Sequence, residues 1–226
     1  MRVDAVILAA GMGSRMKAGY NKVFMKLSGK EILLRTLEAF EHSSQIHGII
    51  LVTGAEDVQR CTTLTKNIKK LKKIIVGGRE RQESSYIGIL ASDSEYVMIH
   101  DAARALITIE DIDAVANGAK QFGAAAVGYP SVDTMKRCID GNIIETVDRN
   151  NLFKVYTPQC FERKLILNLH TGAKEAGVSV TDDCALYEWG GKTVRMIAGD
   201  PYNIKITTPE DICIAEAILS VRNKQI

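Results

Sequence analysis

A short apolar run near the start of the chain is followed at once by a segment that contains two glycines. Residues 3–8 predict a buried strand, and Gly11 and Gly13 come soon after it. Glycine adopts positive φ at little cost, and without a side chain it lets the backbone pass close to a bulky group. Backbone N–H groups in such a loop can bind phosphate oxygens, and Arg15 and Lys22 add two cations. The segment therefore predicts a site for the phosphates of a nucleotide.

The same segment departs from two common nucleotide-binding patterns. The dinucleotide fingerprint needs a third Gly or Ala where this chain has Met16, and the Gly-Lys-Ser/Thr of a P-loop is absent from the segment. A short glycine pair after a strand also occurs in ordinary strand-to-helix turns. The loop on its own therefore leaves two interpretations open, a nucleotide site and a plain turn.

Strands and helices alternate along the first half of the chain. Apolar runs predict strands at 46–52, 73–76, 95–99 and 124–127, and helical periodicity predicts helices at 31–40, 57–68, 79–90 and 109–122. Similar patterns later in the chain predict helices at 163–176, up to Trp189 and at 209–221, with a strand at 192–198. This alternation is typical of an α/β fold with a parallel sheet and helices on both faces.

Three connections with unusual residues fall at the same predicted edge of the sheet. They span 9–22, 77–84 and 100–104, each after a predicted strand. Ligands of open α/β sheets bind at the carboxyl ends of the strands. Asp101 ends a strand beside small residues, a position that favours a ligand-facing carboxylate over a helix cap or turn residue.

The alternation stops at residues 131–148. Two β-like runs flank Asp140-Gly141, a dipeptide that is typical of a hairpin turn. The flanking runs are too polar for a core hairpin, so the segment predicts an arm that projects from the rest of the chain. Such arms commonly pair with a second subunit, and we therefore expect a homodimer.

Composition limits the classes of partner. The chain has 226 residues, 46% hydrophobic and 25% charged, which fits a single domain over 1–226. Its net charge of +2 gives no field that would draw it to nucleic acid or membrane, and no apolar stretch approaches the length of a membrane span. Five widely spaced cysteines without metal-ligand spacing indicate reduced thiols, as expected for the cytoplasm.

Several motifs in order give the chain a family resemblance. It resembles the 2-C-methyl-D-erythritol 4-phosphate cytidylyltransferase family over nearly its whole length. The resemblance rests on residues 9–16 with Lys22, 77–84, 100–104, 133–136, 146–149, 157–159, 181–183 and 203–207. It implies a Rossmann-like fold of the nucleotide-diphospho-sugar-transferase type, with a mostly parallel sheet and dimers that exchange a β-arm.

The resemblance also implies a reaction between CTP and 2-C-methyl-D-erythritol 4-phosphate, a phosphorylated polyol. The acceptor phosphate would attack the α-phosphorus in line, with Mg²⁺ or another divalent cation, to give 4-diphosphocytidyl-2-C-methyl-D-erythritol and pyrophosphate. Carried over by motif, the catalytic cations would be Arg15, Lys22, Arg149 and Lys205. The nucleotide would contact Ala9, Ala10, Gly11, Gly13, Gly78, Ser84, Asp101 and Ala102, with Asp101 also near the metal. The acceptor would contact Thr134, Lys136, Arg149, Thr181 and Lys205.

Two departures and three alternatives accompany this resemblance. The family usually has Pro where this chain has Asn21 and Ala105, so both positions lose backbone restriction rather than a reacting group.

The nearest alternative function is that of a ribitol 5-phosphate cytidylyltransferase, which shares the fold and the nucleotide. A nucleotide-binding module without catalysis is the second, and a dinucleotide-dependent oxidoreductase, disfavoured by Met16, is the third.

Overall fold

A computed structural model describes residues 2–11 and 21–224 of the chain. Gly13 and Arg15, two of the predicted site residues, lie outside the described residues. The strands of the described part are β1 Val3–Leu8, β2 Lys26–Leu27, β3 Lys30–Glu31, β4 Ile46–Thr53, β5 Leu71–Val76, β6 Tyr96–Asp101, β7 Ala124–Pro130, β8 Met135–Ile139, β9 Asn142–Val147, β10 Phe153–Glu162 and β11 Arg195–Ala198. Its α-helices are α1 Ile32–His42, α2 Val58–Leu64, α3 Arg81–Ala91, α4 Ile109–Phe122, α5 Arg163–Glu175, α6 Asp183–Trp189 and α7 Pro209–Lys224.

Seven strands form one sheet in the order β11-β7-β10-β6-β1-β4-β5. The strands from β6 to β5 run parallel, whereas β10 is antiparallel to both of its neighbours. In this register Leu8 lies beside Val52 of β4 and Asp101 of β6. The carboxyl ends of the three central strands therefore meet at one edge, which confirms the predicted mostly parallel sheet.

Alternate residues of the central strands pack on opposite faces of the sheet. Ala5 and Ile7 belong to a core with α1 and α4, while Val6 belongs to a core with α3, α5 and α6. Side chains of a strand alternate between the two faces, so a run buried on both sides needs helices on both. The predicted helices on both faces are confirmed. A third apolar cluster joins α7 to β2 through Leu27 and Ala215.

The structure corrects several predicted elements. Residues 153–162 form β10, a strand that the sequence pattern missed, with a cis peptide bond before Pro158. The helix predicted at 57–68 ends at Leu64, and the helix predicted from 79 begins at Arg81. Thr108 and Asp182 accept hydrogen bonds as the N-caps of α4 and α6, as such residues do.

The hairpin predicted around Asp140-Gly141 is present as a separate two-stranded sheet of β8 and β9. Both turn residues have positive φ, 48° and 80°, as a hairpin turn of this kind requires. The hairpin carries exposed apolar side chains, among them Ile139, Ile143 and Ile144. Its role as an arm of a single domain stays a prediction.

Gly88 sets the distance between α3 and the sheet. A Cβ at this position would overlap Cγ1 of Val6 and lie 3.0 Å from Cγ2 of Val52. We expect Gly88→Ala to lower the free energy of unfolding by about 1–3 kcal/mol, because the added methyl group overpacks the core. Urea unfolding measures this loss. In Val6→Ala/Gly88→Ala the loss should be smaller than the sum of the two single losses, and a strictly additive result would contradict the overlap.

Candidate active site

A cavity of about 330 Å³ opens at the carboxyl ends of β1 and β6, beside the first turn of α3. The predicted site residues among its lining are Ala9, Ala10, Gly11, Lys22, Gly78, Ser84, Asp101 and Lys205. These residues come from four separate segments of the chain. The parallel register brings them together, because it aligns the ends of β1, β4 and β6.

Other predicted residues do not line this cavity. Ala102 is fully buried, and its backbone groups bind Leu8 and Thr36, while Ala103 lines the cavity instead. The remaining residues outside the lining are the four acceptor residues Thr134, Lys136, Arg149 and Thr181, all exposed. Three of these four lie on or beside the hairpin. Most of the described residues that were predicted to contact the nucleotide thus line one cavity, and most of the predicted acceptor residues lie elsewhere in the same chain.

The loop before α3 presents backbone groups to the cavity. Ser84 Oγ accepts a hydrogen bond from the backbone N–H of Gly78 at 3.1 Å. The next N–H, of Arg79, donates to a carboxylate oxygen of Glu83 at 2.8 Å. Two side chains of α3 therefore hold the loop in place, and a Cβ at Gly78 would overlap the Glu83 side chain. These two contacts fix the course of the backbone along the wall of the cavity.

Asp101 lies at the centre of a charged cluster in the cavity. Lys205 Nζ binds its Oδ2 at 2.7 Å, and Arg81 Nε binds its Oδ1 at 3.1 Å. Burial would raise the pKa of Asp101, but the charges of Arg81 and Lys205 outweigh it and hold the pKa well below its usual range. Asp101 is therefore ionised at neutral pH, and it holds the cationic groups of Arg81 and Lys205 in the wall of the cavity.

Arg81 also binds a second buried carboxylate. Its Nη1 donates to Oδ2 of Asp183 at 2.8 Å, and Oδ1 of Asp183 accepts from Ser85 Oγ at 2.5 Å and lies 3.1 Å from His170 Nε2. Burial opposes ionisation of Asp183, but the hydrogen bond from His170 and the charge of Arg81 lower its pKa. Arg81 was not among the predicted site residues. One signal was available: a basic residue at the start of a helix opposes the helix dipole and needs a nearby acid.

The backbone of Asp101 is fixed from the neighbouring strand β10. Its N–H donates to Thr157 Oγ1, and the Thr157 hydroxyl lies 3.1 Å from His100 Nδ1. The carbonyl of Arg104 can only accept, so a neutral His100 carries its proton on Nε2, and its Nδ1 accepts from the Thr157 hydroxyl. Burial lowers the pKa of His100 to about 3, so this imidazole stays neutral.

The described residues contain no cluster of three or more His, Cys, Asp or Glu side chains that could hold a metal by themselves. Asp101 is nevertheless a carboxylate in the cavity wall. Mg²⁺ in nucleotide enzymes uses one or two carboxylates, phosphate oxygens and waters, so this donor set fits a metal that arrives with the nucleotide.

In the part of the chain that the structure describes, no helix is long and apolar enough to cross a membrane.

Comparison with known proteins decides the family. The family model for 2-C-methyl-D-erythritol 4-phosphate cytidylyltransferase matches residues 3–221. The chain belongs to this family. The enzyme of that name from Bacillus licheniformis is 41% identical over 227 residues, with 99% of this chain and 98% of the relative covered. The one from Caldanaerobacter subterraneus is 44% identical over 225 residues, with 97% and 99% covered.

Solved structures of the family share the fold. The 4-diphosphocytidyl-2C-methyl-D-erythritol synthase of Anaerococcus prevotii is 30% identical, with a TM-score of 0.88 and 97% and 96% of the two chains covered. The cytidylyltransferase of Thermus thermophilus is 28% identical, with a TM-score of 0.79 and coverage of 97% and 100%. The resemblance inferred from the motifs, the fold class and the assignment as a nucleotidyltransferase are confirmed.

Arg81→Gln should leave two buried carboxylates without their shared cation. We expect a loss of about 3 kcal/mol in the free energy of unfolding at pH 7. In the wild type, the depressed pKa values of Asp101 and Asp183 stabilise the fold above pH 3.8, their ordinary pKa, and this contribution is lost only as the pH falls through the folded-state values. In the variant these acids take up protons at higher pH, so the difference should shrink below about pH 5.

Chemical unfolding between pH 3 and 8 measures this difference. Arg79→Gln, which changes an exposed arginine two residues earlier, is the matched control and should stay within about 0.5 kcal/mol of the wild type. A constant difference at all pH values for Arg81→Gln would show that the pairing with the two acids is not the cause.

Proposed function

We propose that this chain joins CTP and 2-C-methyl-D-erythritol 4-phosphate to give 4-diphosphocytidyl-2-C-methyl-D-erythritol and pyrophosphate. The observation that carries the proposal is one cavity, in a chain of this family, that is lined by Lys22 and by Arg81 and Lys205, which both bind the buried Asp101. An oxygen of the acceptor phosphate forms a bond to the α-phosphorus. The bond from that phosphorus to the bridging oxygen breaks in line with it, and the electron pair leaves with pyrophosphate.

The nucleotide half of the reaction uses the residues at the end of β1 and the start of α3. Small residues at 9–11 let the base and ribose approach the backbone, and Gly78 with Ser84 offers polar groups to the cytosine. Arg15 and Lys22 neutralise charge on the α-phosphate and the departing pyrophosphate. Because two anions must meet, catalysis consists mainly of positioning and of charge neutralisation.

A metal ion completes the nucleotide half. Asp101 is the residue that would hold Mg²⁺ beside the phosphates, and the ion would neutralise their charge when bound. Lys205 binds the same carboxylate, so it keeps Asp101 ionised and correctly oriented.

The cytoplasm, where CTP and Mg²⁺ are available, is the expected compartment.

The acceptor half needs residues from the hairpin. Arg149 binds the carbonyl of Val132 at 2.5 Å, and Lys136 binds Thr146 at 2.5 Å, so both stay with the hairpin rather than the cavity of their own chain. Exposed isoleucines on β8 and β9 are typical of a surface that is buried against another protein chain. We therefore infer a homodimer in which the arm at 131–148 brings Arg149 and Thr134 to the acceptor phosphate in the partner's cavity.

Loss of a phosphate-binding cation should reduce turnover. We expect Lys22→Ala and Arg15→Ala each to lower kcat by about 10²–10³-fold, as removal of other preorganised donors does. Pyrophosphate release with CTP is the measurement, with 2-C-methyl-D-erythritol 4-phosphate and ribitol 5-phosphate as separate acceptors. Lys26→Ala, an exposed lysine on β2, is the control. Faster release with ribitol 5-phosphate would support the other cytidylyltransferase, and no release with either would support a binding module.

Mixed dimers test the contribution of the arm. Lys205→Ala and Arg149→Ala should each be nearly inactive alone. If every site combines Lys205 of one subunit with Arg149 of the other, mixing equal amounts should recover about a quarter of the wild-type activity, since half of the dimers have one intact site. Arg137→Ala, an exposed arm arginine paired with Glu145, should stay active. Absence of recovery despite subunit exchange, or a monomer in sedimentation, would contradict the shared site.

A further inference from the structure

Asn21 is a nearly buried polar residue directly before Lys22, and it does not line the cavity. The residue is 8% exposed, and its side chain makes three hydrogen bonds. The amide nitrogen donates to the carbonyl of Ala9 at 2.7 Å and to Oδ2 of Asp57 at 3.0 Å, and the amide oxygen accepts from the N–H of Val23 at 3.3 Å. The carboxamide thus joins three segments at the edge of the cavity.

The orientation of this carboxamide is unambiguous. A backbone carbonyl and a carboxylate are acceptors only, so both must face the NH₂ group, while an N–H must face the oxygen. No other side chain of the same size supplies two donors and one acceptor in this arrangement. An aspartate at this position would keep the shape, but one carboxylate oxygen would replace the NH₂ group and face the Ala9 carbonyl and the Asp57 carboxylate.

The two ends of the segment that holds Lys22 are both anchored. Ala9 donates to the carbonyl of Val52 at 2.7 Å, so the carbonyl that Asn21 binds is itself fixed to the sheet. After Lys22, the side chains of Val23 and Phe24 are buried, and the guanidinium of Arg60 lies 4.1 Å above the Phe24 ring. Lys22 therefore sits between the carboxamide of Asn21 and two core residues.

We propose that Asn21 is a positioning residue for Lys22: its carboxamide clamps the chain to the end of β1 and to Asp57, and thereby sets the place from which Lys22 reaches the phosphates. The expected effect of the clamp on turnover rests on the proposed function. Its structural consequence, the order of residues 22–24, can be measured without any substrate.

A double-variant comparison tests the action through Lys22. Asn21→Ala and Asn21→Asp should each lower kcat by about 10- to 100-fold, the range for a displaced catalytic group, while the KM for CTP changes by less than about 3-fold. In the Lys22→Ala background the same changes should lower kcat by less than about 3-fold, because the lysine that they displace is gone. Asn117→Ala, an exposed asparagine of α4, is the matched control. An equal loss in both backgrounds would overturn the proposal.

Hydrogen exchange of the ligand-free protein supplies the second readout. The amides of Val23 and Phe24 should exchange at least about 10-fold faster in both Asn21 variants than in the wild type, with the amides of β4 unchanged. Unchanged exchange at 23 and 24 would overturn the clamp even if turnover falls. A wild type that releases no pyrophosphate would refute the proposed function instead, and exchange would still decide whether Asn21 holds this segment.

Discussion

One guanidinium holds two buried carboxylates, and the shape of the cavity depends on it. Asp101 ends β6, Asp183 begins α6, and Arg81 begins α3, so the interaction ties together three elements that are far apart in the sequence. Buried charges are costly unless they are paired and hydrogen-bonded. Arginine meets this need because its planar fork can donate to two carboxylates at once, which the single ammonium of a lysine cannot do in the same geometry.

The negative charge of Asp101 orients the two cations that bind it in the cavity. Lys205 and Arg81 bind the two oxygens of this carboxylate, and without its negative charge the two cations would repel each other. With it, Lys205 is held at 2.7 Å from Oδ2 while over a third of its side chain remains exposed to the cavity. The cation is thus oriented before any ligand arrives, and this preorganisation lowers the cost of stabilising charge in the transition state.

Sequence patterns predict the part of this arrangement that follows from local rules. The alternation of strands and helices predicts the sheet, and the position of Asp101 at the end of a predicted strand predicts its place at the ligand edge. Strand β10 could not be predicted in this way, because a proline such as Pro158 argues against a central strand. The polar residues on each side of it are buried only because tertiary partners satisfy them. Thr157 binds His100, and the Gln159 amide binds Asp182 at 2.7 Å.

The pairing of Arg81 with Asp183 is likewise tertiary, since 102 residues separate the two in the chain. Neither the spacing nor the composition of the surrounding segments indicates which acid an arginine will meet. The carry-over by motif found cavity residues just after β1, at the end of β6 and at the start of α3. The arm predicted at 131–148 already set the hairpin residues apart from them. Arg149 is exposed and does not line the cavity of its own chain, and this observation supports the proposal that two chains share the site.

Asn21 shows how a lost restriction can be replaced by a different interaction. Its φ of −65° is the value that a proline ring imposes, so the backbone before Lys22 has the conformation that proline would give. A proline ring restricts this angle in the unfolded chain as well, whereas a hydrogen-bonded carboxamide acts only in the folded protein. Two of its three hydrogen bonds therefore depend on the positions of Ala9 and Asp57, and through Ala9 they couple the place of Lys22 to the register of the central strands.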